Sequence, residues 1–211
     1  MTRSLPATAR RRRLTQQERS AATREALIDA TIECLVDVGY DRTTTTEISE
    51  RAALSRGAHL HHFQTRAALV AAAVEGLAQR GLEDLARGVR RLPDDERRPE
   101  AALDMLWRLF NGQLFQVMLE LSVHGRTDPE LRAELDPIER MVGHDTMPQW
   151  LRLAFAGDPD DHRLDDLISL IAAAVRGLAV MKLLEPTRRI NERWNACRAQ
   201  LLSLLDQQGA R

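Results

Sequence analysis

Residues 43–66 read TTTTEISERAALSRGAHLHHFQTR, and the organisation of the chain can be worked outward from them. Thr44, followed three residues later by Glu47, has the spacing of a capping box: the hydroxyl takes a free helix N–H and the carboxylate reaches back. Ile48 and Ala52 form the short buried face of a helix that begins after Thr44 and ends near Ala53. Ser55 is a good N-cap for a second short helix running to about His61 or His62, with Phe63 just beyond it plugging a small core. Thr65 caps a longer helix whose apolar stripe includes Leu69, Val70, Ala73 and Leu77. Two short, capped helices across a tight turn read as a helix-turn-helix, whose second helix enters a DNA major groove N-terminus first.

The side chains of this stretch suit that task. Arg56 can bond a guanine edge or a phosphate. Gly57 and Ala58, next to Ser55, keep the helix surface low for close approach. Thr43, Thr44 and Thr45 bring hydroxyls and a helix N-terminus near a phosphate, and Arg66 can hold the next one. His59, His61 and His62 can donate to phosphates or bases, with binding gained as the pH falls toward about 6. His59 and His62 have a spacing that metal ligands use on a helix, but no carboxylate or cysteine completes a set. No metal and no cofactor are expected.

Upstream, a helix from about Thr15 to Val38 carries Leu27, Ala30, Cys34 and Val38 at helical spacing, and Gly39 reads as its left-handed C-cap. Downstream, the helix begun at Thr65 fades through Gly81 and Gly88. The polar segment Leu92 to Pro99 then punctuates the chain. Helical periodicity resumes over Pro99–Phe110, Gly112–His124, Asp128–Phe155 (interrupted by Pro137 and Pro148), Asp161–Leu184 and Thr187–Gln207. No sustained apolar/polar alternation occurs. The fold class is all-α with about nine helices.

The chain has 211 residues, 44% hydrophobic and 29% charged, as expected of an ordinary globular protein. Its net charge of -1 hides an asymmetry. Residues 1–66 hold 11 Arg against 8 acids, a balance of +3, which leaves -4 for the remainder. Five of those arginines fall in the first 13 residues. A basic front suggests a polyanionic partner. The two cysteines, Cys34 and Cys197, form neither a C-x-x-C pair nor a zinc spacing. The most apolar run, Ile168 to Leu184, holds Arg176 at its middle, which costs about 2.5–3.5 kcal/mol in a bilayer. The basic N-terminus leads into polar sequence, unlike a signal peptide. A cytoplasmic location with no membrane partner is expected.

Gly39-Tyr40, Thr43-Thr44, Ile48, Ala52, Leu54-Ser55-Arg56-Gly57-Ala58, His61-His62-Phe63, Arg66 and Leu69 together resemble the tetracycline-repressor (TetR/AcrR) family of bacterial regulators. The chain departs from that pattern at three places. His59-Leu60 stands where the family has an apolar residue and then a tyrosine that commonly contacts a phosphate, and Leu60 cannot bond one. Ala53 replaces a frequent glycine, which implies either a turn without positive φ or about 1 kcal/mol of strain. Arg66 replaces a common lysine and keeps its charge.

The resemblance implies three parts: a basic, disordered arm (residues 1–14), a three-helix DNA-binding domain (15–66), and a ligand-binding and dimerisation domain (67–211). Trp107, Phe110, Phe115, Met118, Met141 and Trp150 are the expected pocket residues, with Arg176 facing either a ligand carboxylate or a partner subunit. Trp194, Cys197, Leu201 and Leu205 form the stripe expected to close a four-helix dimer contact. The implied function is a regulator, not an enzyme. As a homodimer it binds a palindromic double-stranded operator and represses, and a largely apolar small-molecule effector releases it. The alternatives are a dimeric regulator that responds to no ligand and an enzyme in the C-terminal half. No catalytic or phosphate-loop motif supports the enzyme.

Overall fold

The computed structural model describes residues 15–55, 57, 59–155 and 162–209. The basic arm, residues 1–14, lies outside them. The described residues are helical and contain no strand.

Helix α1 (Gln16–Val38) starts at a closed capping box: the Thr15 hydroxyl accepts the Glu18 N–H at 3.2 Å, and the Glu18 carboxylate accepts the Thr15 N–H at 2.7 Å. Helix α2 (Thr45–Arg51) is capped by Thr44, whose hydroxyl accepts the Glu47 N–H at 3.2 Å. The expected return bond from Glu47 is replaced by an ion pair with Arg51, one turn ahead at 3.3 Å. A 3-10 turn at His59–His61 follows. Helix α3 (Arg66–Val89), capped by Thr65, runs unbroken through Gly81 and Gly88, where the sequence predicts fading.

Then come α4 (Arg98–Phe110), α5 (Gln113–Gly125) and α6 (Pro129–Arg140), the last capped by Asp128 with Pro129 at its first position. Pro137 lies inside α6 without ending it. The helix continues through a π-helical turn (Met141–Thr146) into α7 (Met147–Ala154). Pro148 has no N–H to give the preceding turn, and the widened turn sits immediately before it. Two long helices, α8 (His162–Met181) and α9 (Thr187–Gly209), close the fold. No helix among the described residues is long and apolar enough to cross a membrane.

Helix α1 is buried on two faces. Leu27, Ala30 and Cys34 pack with Ile48, Phe63 and Leu69 into the core of the N-terminal unit. Ile32 and Leu35 instead join Val70, Val74 and Leu77 of α3, Leu121 of α5, and Leu131 and Leu135 of α6. The first 66 residues and the rest therefore share a core across α1 and α3.

A third cluster holds α4, α7, α8 and α9 together around Leu106, Phe110, Ile171 and Val175. Trp194 and Leu201 belong to it, 5% and 4% exposed. The Trp194 ring stacks on Trp107 at 4.8 Å, 6° from parallel. This corrects the expected dimer stripe. Trp194 and Leu201 face the chain's own core, because α9 turns its largest side chains toward α4 and α8. Cys197 and Leu205 pack half-buried against the same cluster.

Polar ties fix the helix ends. The Arg98 guanidinium donates to the carbonyls of Ala154 (3.1 Å) and Leu153 (2.9 Å), capping α7. Arg198 on α9 donates to Glu100 at 2.7 Å and Asp104 at 2.9 Å on α4. Truncating the buried stack is expected to be costly: Trp194→Ala should lower unfolding free energy by about 3–5 kcal/mol, read from the urea midpoint. A loss below about 1 kcal/mol would mean that Trp194 is not a core residue.

Candidate nucleic-acid interface and effector cleft

The turn between α1 and α2 is built from buried polar bonds. Thr43 is fully buried, and its hydroxyl donates to the Gly39 carbonyl at 2.7 Å. Arg66, the first residue of α3, donates from Nε to the Thr43 carbonyl at 2.7 Å and from a second nitrogen to the Tyr40 carbonyl. Its guanidinium lies 3.9 Å from the centroid of the Tyr40 ring. Burial pushes the Tyr40 phenol above its ordinary range, and Arg66 pulls against that. Thr43 and Arg66 were expected at phosphates. In the structure both hold the turn: the Thr43 hydroxyl bonds the Gly39 carbonyl, and Arg66 adds a donor to the Thr43 carbonyl and to the Tyr40 carbonyl, which also accepts the Thr43 N–H at 3.1 Å.

Of the other expected contacts, Thr44 is exposed, with its hydroxyl committed to the cap, and Thr45 is half-buried. Ser55, Gly57 and His61 are exposed, and His62 is half-buried. A side-chain carbon added at Gly57 would meet nothing within 4 Å, so the surface there is open. Arg56 and Ala58 lie outside the described residues, as does the side chain of His59. Where the sequence predicts the end of an α-helix, His59–His61 forms a 3-10 turn, the tighter winding common at helix termini.

The link from α2 to this surface passes through Ala53 at φ 54. The Leu54 N–H bonds back to the Ser49 carbonyl at 2.9 Å. Alanine in this left-handed conformation is strained by about 1–2 kcal/mol. Gly39 differs from the expected left-handed cap: φ is 77 but ψ is 174, a region open essentially to glycine alone.

Of the expected pocket residues, Trp107, Phe110, Phe115 and Arg176 come together around one cluster, and Met118, Met141 and Trp150 lie apart from it. Phe110 and Phe115 meet edge to face at 5.2 Å, Arg176 lies 5.5 Å from the Phe110 ring centroid, and Trp107 stacks on Trp194. Met118 and Met141 pack against the separate cluster that holds Ile32 and Leu121. Trp150 packs in another, beside Leu85 and Met105. These side chains fill cores.

A cleft of about 480 Å³ opens elsewhere, between α1, α3, α4 and α5. Ile32 of α1 and Leu77, Arg80 and Leu85 of α3 form one side, and Met105, Arg108 and Leu109 of α4 the other. Gln113 and Leu114 of α5 close an end. The sequence signal for it was Gly81 and Gly88, one heptad apart on α3. A carbon added at Gly81 would lie 2.9 Å from Leu114 Cδ2, and one at Gly88 2.9 Å from Met105 Sδ. Both glycines admit neighbouring helices to the cleft wall.

Relieving the turn strain is expected to stabilise the chain. Ala53→Gly should raise unfolding free energy by about 0.5–1 kcal/mol, after the entropy glycine adds to the unfolded state. Chemical denaturation measures this directly, and a lower midpoint would contradict the strained turn.

The chain has clear relatives. Residues 27–73 match the family model for bacterial regulatory proteins of the tetR family. The HTH-type transcriptional regulator CymR of Pseudomonas putida is 30% identical over 86% of this chain and 90% of its own length. An HTH-type transcriptional regulator of Mycobacterium tuberculosis is 35% identical over 59% of this chain, a match spanning 64% of the relative's length. The crystal structure of a transcriptional regulator from Rhodococcus sp. Rha1 superposes with a TM-score of 0.63 at 19% identity, over 88% of this chain and 96% of that one, a likeness of fold. The chain belongs to the tetR family of bacterial regulatory proteins, and its N-terminal helices are the family's DNA-binding helix-turn-helix.

Proposed function

We propose that this regulator is a repressor that binds a palindromic operator as a homodimer and is released by a small molecule held in the cleft between α1, α3, α4 and α5. The observation that carries the effector part is the position of Ile32. A residue of the first helix of the DNA-binding unit lines a cleft otherwise built by α3, α4 and α5. An occupant there touches both halves of the molecule at once. It shifts the equilibrium between two arrangements of the DNA-binding unit only by its differential affinity for them, and a tenfold loss of operator affinity needs about 1.4 kcal/mol.

The dimer reading rests on the outer face of α8 and its end. Leu170, Leu183 and Leu184 are 53%, 61% and 83% exposed. Ala173 and Gly177 lie on the same exposed stripe as Leu170 and let a second helix approach. Burying each such leucine against a second copy contributes up to about 1.5–3 kcal/mol. The twofold axis then sets two reading surfaces about 34–36 Å apart, the repeat of successive major grooves. Ser55, Arg56, Gly57, Ala58, His59, His61 and His62, with Thr44 and Thr45, are the proposed DNA contacts.

Selection of duplexes from a random-sequence pool tests the reading. A palindrome with half-sites about one helical turn apart is expected. Arg56→Ala should weaken binding to it about five- to 150-fold, the cost of one good base or phosphate contact. No enriched sequence, or unchanged affinity for Arg56→Ala, would contradict it.

A second measurement separates dimer from cleft. Leu170→Glu should halve the mass seen by light scattering and abolish palindrome binding. Leu109→Trp, which fills the cleft, should keep both mass and operator binding while losing the response to compounds that release the unaltered protein.

A further inference from the structure

We propose that Glu120 is a positioning residue for DNA reading: its carboxylate, seated on the backbone N–H of Tyr40, fixes the angle of the helix-turn-helix against the C-terminal half. Glu120 lies on α5, 80 residues from Tyr40 in sequence, and its Oε1 accepts the Tyr40 N–H at 2.6 Å. The Tyr40 carbonyl is taken by Arg66 at the start of α3. Both backbone polar groups of one turn residue are thus held by side chains from outside the α1–α2 hairpin. Rotation of α1 and α2 against α3 and α5 breaks one bond or the other.

The surroundings are specific to this grip. A carbon added at Gly39 would lie 2.7 Å from Glu120 Oε1, so the carboxylate reaches the N–H only over a bare backbone. The Tyr40 ring is 5% exposed. Arg66 covers it, and His124, one turn beyond Glu120, meets it at 4.9 Å between centroids. The Tyr40 hydroxyl donates to Asp128 Oδ2 at 3.4 Å, and Asp128 is the N-cap of α6. Asp41, the next residue, lies 3.8 Å from His124 Nδ1. Glu120, His124 and Asp128 therefore line up along the end of α5 and the start of α6, all against residues 39–41.

A bond from a charged carboxylate to a backbone N–H is stronger and shorter than a neutral one, and it is directional where apolar packing is not. Around it the shared core is apolar, built from Ile32, Leu35, Leu121 and Leu131. That core resists separation of the two halves through contacts that carry no hydrogen-bond direction. Among the fits this packing allows, the Glu120 bond favours the one that keeps the Tyr40 N–H on the carboxylate. None of these groups reaches the exposed surface at Ser55, Gly57 and His61, so Glu120 acts on DNA only through the turn.

The inference rests on the operator reading, and the test separates the two. Duplexes are first selected with the unaltered chain. Absence of any enriched sequence overturns the operator reading before a variant is made, and the positioning role with it. With a selected duplex in hand, Glu120→Gln and Glu120→Leu are compared. Both remove the charge, but only Gln keeps an acceptor for the Tyr40 N–H. The expected result is that Gln binds the selected duplex within about threefold of the unaltered chain, while Leu binds at least tenfold more weakly. Both should bind a random duplex at low salt alike. Amide hydrogen exchange over residues 39–43 should quicken at least tenfold in Leu only, with exchange over α3 unchanged in both.

Equal affinity of the two variants for the selected duplex overturns the proposal. So does equal loss for both duplexes, which would report general unfolding. Should Glu120→Leu not fold, Glu120→Asp takes its place, since it keeps the charge but falls one methylene short of the N–H.

Discussion

Everything in this molecule depends on α1 being buried twice. A helix on the surface of a small domain normally offers one apolar stripe to one core. Here Leu27, Ala30 and Cys34 face α2 and Phe63, while Ile32 and Leu35 face α3, α5 and α6. The DNA-binding unit is therefore joined to the rest by packing, and its orientation is a property of the whole chain. Two arrangements of the reading surface must differ in how Ile32 and Leu35 sit among Val74, Leu77 and Leu121. Dense packing makes such interfaces switch between discrete fits more readily than they bend.

The polar bonds at the α1–α2 turn sharpen this constraint. Helix α1 ends at Gly39 in a conformation that leaves the Tyr40 N–H and carbonyl outside any helical ladder. In water such groups cost nothing. Away from water they require partners: Glu120 of α5 takes the N–H, and the carbonyl accepts from Arg66 of α3 and from the Thr43 N–H within the turn. Arg66 illustrates the trade: a cation from a basic N-terminal region is committed to two carbonyls and a tyrosine ring.

The helices, their caps and the helix-turn-helix were legible in the sequence because they rest on local rules. Thr44, Thr65 and Asp128 bond residues three positions away, and periodicity marks the faces. Even there, local rules overreached where a distant partner competed. Glu47 left its capping bond for Arg51, and Thr43 and Arg66 left the phosphate role for the turn. The grip of Glu120 on Tyr40 joins positions 80 apart and leaves no local trace. At Ala53 the sequence leaves two readings open, a turn without positive φ or a strained one, and the backbone there has φ 54.

The cleft between α3, α4 and α5 is not legible in the large side chains for a more general reason. A large side chain fills space as readily as it lines a cavity. Trp107, Phe110 and Trp194 fill the space between α4, α8 and α9 at close-packed distances, and Trp150 does the same beside α3. A cleft forms where helices that diverge elsewhere are pinned together at a few points. Gly81 and Gly88 supply those points, drawing Leu114 and Met105 toward the α3 backbone and leaving the space between them unfilled. Because α3 begins at Arg66 in the DNA-binding unit and ends beside this cleft, any occupant that spreads α4 or α5 from α3 works against the same helix that anchors the turn. Under the proposed release by an effector, tighter binding alone does not release DNA: the ligand acts only through the difference in its affinity for the two arrangements of the DNA-binding unit.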